Sequence, residues 1–174
     1  MSTTFFFALE HPGDWRPVRD YFYEACKCTE FWTAPNHFEK GPPDSQERDY
    51  YAVCNSYNLI GFDKPIGSST TYKADVSIAF SWNKGPHYFI YSIEVLDACI
   101  RWLARSRGDA FLDLNGNPIL GRAAGGPVRI SEIWANGGGA KDKDTLRRDV
   151  PVAINALIRE GLAYDIGPLK PFYS

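Results

Sequence analysis

Methionine occurs once and histidine three times in the 174 residues, and neither cysteine nor positive charge is in excess. Each scarcity excludes something. The histidines, at positions 11, 37 and 87, form no HExxH-type helical pair, so no hydrolytic zinc signature is present. The four cysteines (Cys26, Cys28, Cys54, Cys99) offer only a Cys-x-Cys pair, with a single intervening residue where structural zinc pairs have more. They read as free thiols, and neither metal nor cofactor is expected. A formal net charge of −2 leaves no chain-wide positive field to gather polyanions, which argues against nucleic acid as the primary ligand. No apolar run approaches the ~20 residues that span a bilayer, so no membrane association is expected. The opening Met-Ser-Thr-Thr-Phe-Phe-Phe-Ala-Leu-Glu-His stretch has no basic region before its short apolar run, so a secretory leader is not expected and the expected location is cytoplasmic.

Motifs for covalent chemistry are missing too. There is no GxSxG elbow and no SxxK pair. The Gly137-Gly-Gly-Ala-Lys-Asp-Lys-Asp-Thr145 segment lacks the Gly-Lys-Ser/Thr ending of a phosphate loop, and Asp142 and Asp144 would repel phosphate. Asp113-Leu-Asn115-Gly116-Asn117 resembles the opening of a calcium loop but has no bidentate glutamate downstream at the required spacing.

Aromatic residues are plentiful: 11 Phe, 10 Tyr and 5 Trp make 15% of a chain that is 44% hydrophobic. That content excludes disorder and suffices for one core, so residues 1–174 are expected to form a single globular domain. Residues 3–9 read as a buried first strand. Asp14 can cap a helix running to about residue 27, with Trp15, Val18, Phe22 and Ala25 on its apolar face. Residues 29–47 form a proline-broken irregular loop, followed by strand material over 50–57 and 58–62. Over 71–82 apolar and polar residues alternate at period two, as in an antiparallel sheet with one wetter face.

Ser92 can cap the next helix, whose stripe is Ile93, Leu96, Ile100 and Leu103 and whose stop is Gly108. Asn115-Gly116 predicts a hairpin between residues 110–114 and 118–120, and a strand follows over 128–134 with its alternation slipping at Glu132. The last helix starts at Thr145 or Asp149 with Pro151 in its first turn and Val152, Ala156, Leu157 and Ile158 on its apolar face. The tail from residue 164 reads as an extended segment. Helices separated by several consecutive strands indicate an α+β fold, a largely antiparallel sheet with about three helices covering one face.

Two sets of residues could carry function. Glu10, His11 and Asp14 follow a buried strand and precede a helix, where an acid and a base are readily displayed to a small substrate; a hydrolase or transferase would use them. Phe31, Trp32 and Phe38 lie in a polar loop, where aromatic side chains either pin the loop to the domain or form a recognition patch.

Over residues 74–162 the order of elements runs from an alternating strand through an amphipathic helix to the Leu112-Asp-Leu-Asn-Gly-Asn-Pro-Ile-Leu-Gly-Arg122 hairpin and a helix ending in Arg159-Glu-Gly161. In this it resembles the single-domain immunity proteins of bacterial polymorphic toxin systems. That resemblance implies a non-enzymatic protein that occludes a protein partner, a cognate toxin, and it carries no functional residues across. On that expectation Glu39, Asp44 and Glu47 would join Phe31, Trp32 and Phe38 in meeting a basic toxin surface.

Overall fold

The computed structural model describes residues 3–10, 16–26, 31–33, 37–39, 50–56, 76–82, 88–114, 117–137 and 143–169. The sheet is built on β1 (Thr3–Leu9), which pairs antiparallel with β5 (Val76–Trp82) on one side and β6 (Ala110–Leu114) on the other. Beyond β5 lies β4 (Tyr50–Ser56); beyond β6 lie β7 (Asn117–Arg122), β8 (Val128–Ser131) and β9 (Tyr164–Gly167). The seven strands run in the order β4-β5-β1-β6-β7-β8-β9, and every pair is antiparallel except β8–β9. The α+β class and the largely antiparallel sheet are as expected.

One face of this sheet makes the core. Its register sets Phe5 beside Phe80 and places Phe7 between Ile78 and Leu112. Over them pack α1 (Arg16–Ala25), α2 (Tyr88–Arg105) and α4 (Lys143–Arg159). The first contributes Val18 and Phe22, with Cys26 just past its end; the second Leu96, Cys99, Ile100 and Leu103; the third Ala153, Ala156 and Leu157, all buried. Spacings of three and four residues line each set up on one helical face. Phe22 is the hub, its ring 5.6 Å from that of Phe7, 5.5 Å from Phe80 and 5.7 Å from Trp102, so one side chain joins β1, β5, α1 and α2. In the β6–β7 pair, Leu112 faces Leu120 whereas Asp113 faces Pro118, leaving Ile119 as the extra residue of a bulge. Both Ile119 and Leu120 thereby enter the core. Residues 115–116, the expected hairpin turn, lie outside the described residues, but Leu114 pairs with Asn117 across them.

Several element boundaries differ from the sequence expectation, each for a local reason. Within residues 29–47 the structure forms a small hairpin, β2 (Phe31–Thr33) against β3 (His37–Glu39). The second expected helix begins at Tyr88, so Ser92 is a buried interior residue and not its cap. Asp97 of this helix pairs with Arg101 at 2.8 Å and with Arg159 of α4 at 2.7 Å, tying the two helices together. The strand expected over 128–134 stops at Ser131, whose Oγ accepts a hydrogen bond from the Trp134 amide at 3.3 Å. This cap opens a fourth helix, the short α3 (Glu132–Ala135), and turns Trp134 into the core. The final helix starts at Lys143, which puts Pro151 and Asp149 in its interior. Pro151 is exposed, where the carbonyl it leaves without a helical donor can be hydrated. Ile158, expected on the apolar face, points outward. The expected cap at Asp14 and the strand over 58–62 lie outside the described residues.

Candidate functional site

Of the proposed acid–base group, Glu10 alone is described; His11 and Asp14 are not. Glu10 is exposed at the end of β1 and has a structural task. Its amide donates to the Asp109 carbonyl at 2.8 Å, and its carboxylate Oε2 accepts from the Asp109 amide at 3.3 Å, so it clasps the turn between α2 and β6. Gly108 makes the close approach possible. A Cβ there would stand 3.0 Å from the Glu10 carbonyl oxygen and 2.9 Å from its Oε2. Gly108→Ala is therefore expected to cost about 1–3 kcal/mol, measured by urea unfolding, because backbone as well as side chain must shift.

In the aromatic segment the hairpin register sets Trp32 opposite Phe38 and Phe31 opposite Glu39. β2 lies beside β4, so this pair of strands packs at one end of the large sheet. Asp44 and Glu47 lie outside the described residues.

The opposite end of the sheet is different. β9 pairs with β8 on one side, and among the described residues no strand pairs with its other side. Tyr164 and Ile166 stand in register with Val128 and Ile130, which belong to the core, and so share the face on which the helices pack. They nonetheless remain 36% and 50% exposed, and Ile133 of the adjoining α3 is 65% exposed. Three large apolar side chains are thus exposed on β9 and the adjoining α3, at the end of the sheet where, among the described residues, β9 has no second strand partner. On the reverse face, Asp165 is gripped by Arg129 through two bonds, Nε to Oδ1 at 2.8 Å and Nη2 to Oδ2 at 3.1 Å. Those bonds hold the Asp165 carboxyl below its ordinary range and raise the guanidinium further. Beside Arg129 a shallow groove of about 390 Å³ runs between Gly121, Pro127 and Pro168. The sequence reading missed this site. Its one visible signal is the alternation Tyr164-Asp165-Ile166 between Gly161 and Pro168, a short strand pattern between two breakers.

Other reactive groups are committed to the core. Burial pushes the Cys99 thiol well above its ordinary value, with the neighbouring Cys26 adding to the rise. The Tyr21 hydroxyl donates to the Ala98 carbonyl at 3.0 Å, and burial lifts it to about 12 against the opposing pull of Arg101 and Arg105. Such groups are inert at neutral pH. Among the described residues no three His, Cys, Asp or Glu side chains come together as a metal site, and no helix is long and apolar enough to cross a membrane.

Fold and site together define an α+β protein whose sheet ends in an apolar, charge-flanked edge. No family model, curated protein or solved structure matches the chain.

Proposed function

We propose that the chain is a non-enzymatic binding protein that works by occluding a protein partner, in the manner of a cytoplasmic immunity protein that neutralises a cognate bacterial toxin. The observation that supports this most is the exposure of Ile133 on α3 and of Tyr164 and Ile166 on β9, a strand with no second strand partner among the described residues. Large apolar side chains exposed at an edge are what a folded chain covers with a partner, since exposed apolar patches and open edges otherwise promote aggregation. The finer reading rests on the resemblance that the sequence suggests over residues 74–162.

The test is co-expression with the product of the adjacent gene. The reading predicts a complex that persists through size exclusion and a host that survives the partner only when this chain is present. A neighbour that shows no association and no toxicity would contradict it.

A further inference from the structure

We infer that β9 receives its partner by strand addition, and that the partner segment is an extended strand of alternating apolar and basic residues. The inference rests on the binding reading and adds the mode and the chemistry of recognition.

The backbone supplies the first argument. The Ala163 carbonyl accepts from the Val128 amide at 2.9 Å, which fixes the phase of the parallel ladder. In such a ladder alternate residues bond to the same neighbour, so Asp165 and Gly167 turn their polar groups to β8. Tyr164 and Ile166 then direct N–H and C=O away from the sheet, two donors and two acceptors in strand spacing. An extended peptide meets that pattern with its own main chain.

Side chains supply the second. A strand lying along β9 sets alternate residues against Tyr164 and Ile166 on the helix face, where those exposed side chains reward apolar groups. Its residue on the reverse face lands beside Asp165, whose side chain remains 44% exposed although it is bonded to Arg129. A lysine or arginine there completes a cation–carboxylate–cation row, and a glutamate is repelled.

The same charge argues against a second copy of this chain as the occupant. The antiparallel self-pairing that matches Tyr164 with Ile166 of the other copy also sets Asp165 against Asp165. Sliding to spare that clash by pairing Ile166 with itself brings Pro168, which has no amide to donate, opposite Tyr164.

The experiment is an NMR titration of the full-length, isotope-labelled protein with two capped peptides, Thr-Val-Lys-Val-Thr and Thr-Val-Glu-Val-Thr. The Lys peptide is expected to shift the Tyr164 and Ile166 amides most and to bind about tenfold more tightly than the Glu peptide. Asp165→Lys should reverse that preference. Ile166→Pro, which removes an outward amide from an edge position where proline is tolerated, should abolish binding while the melting temperature stays near wild type. Equal binding of the two peptides, no perturbation of β9 at millimolar peptide, or a β9-mediated dimer in sedimentation would overturn the inference. A partner complex that survives both Ile166→Pro and Asp165→Lys would sink strand addition and leave the binding reading standing. Failure of the wild-type chain to form any complex with the neighbouring product would instead sink the binding reading itself.

Discussion

Asp149→Asn is expected to make the protein more stable, raising its melting temperature by about 10 °C at pH 8. Asp149 lies on the core side of α4, at the helical spacing that leads to Ala153, Ala156 and Leu157, and is only 3% exposed. Its Oδ1 has no hydrogen-bond partner among the described residues. Burial alone lifts the carboxyl from 3.8 to about 7. A carboxyl with a folded pKa above its unfolded value takes up a proton on folding, so stability falls as pH rises between the two values and levels off above about 7. At the alkaline end the charged form costs up to about 4 kcal/mol. Asparagine matches the neutral acid in shape and removes the charge. The variant's advantage should therefore be small near pH 4, grow through pH 7 and stay constant beyond, as read from urea unfolding across pH. A difference independent of pH would show that the carboxylate is not the cause.

Arg122→Ala is expected to destabilise the fold by about 4 kcal/mol, through loss of several charged hydrogen bonds at once. Arg122 is 5% exposed, and its guanidinium closes the C-terminal end of α2. Nη1 donates to the Leu103 carbonyl at 2.7 Å, Nη2 donates to the Gly108 carbonyl at 2.8 Å and the Ser106 hydroxyl at 3.1 Å, and Nε donates to Gly108 at 3.2 Å. Of these acceptors the Leu103 carbonyl is one that the helix end leaves without an internal donor, the others belong to the turn that follows, and a cation there also meets the negative end of the helix dipole. Truncation leaves buried acceptors unmet. Arg122→Lys keeps the charge but not the fork, so it should recover less than half of the loss. The measurement is the unfolding midpoint of both variants, with amide exchange across residues 103–109 locating the damage.

The sequence made the sheet centre and the helix stripes legible because they rest on periodicity. Phe5, Phe7 and Leu9 alternate, Val18 and Phe22 recur at four-residue spacing, and Asn115-Gly116 marks its own hairpin. The starts of the second and last helices were not legible. Ser92 and Asp149 are good caps by chemistry, yet the helices begin earlier, at Tyr88 and Lys143, and carry both residues inside. Propensity proposes a cap, and tertiary burial overrides it. Asp149 shows the cost of that override as a carboxyl stranded on an apolar stripe.

The candidate edge was hidden for a different reason. β9 is a strand only because β8 lies parallel to it, with Arg129 reaching Asp165 across 36 residues of sequence. Isoleucines at 133 and 166 read as core in any local window, and their exposure is a property of the assembled sheet alone. Phe31, Trp32 and Phe38 stand among polar residues in the sequence, and their hairpin packs beside β4 at the other end of the sheet.

Residue-resolved amide hydrogen exchange of the free protein tests the central claim most directly. An open β9 edge predicts an alternating record, with Asp165 and Gly167 protected by their bonds to β8 and Tyr164 and Ile166 exchanging at rates near those of an unstructured peptide. Uniform protection along residues 164–167 would show the edge already covered, and would contradict its assignment as the surface that receives a partner.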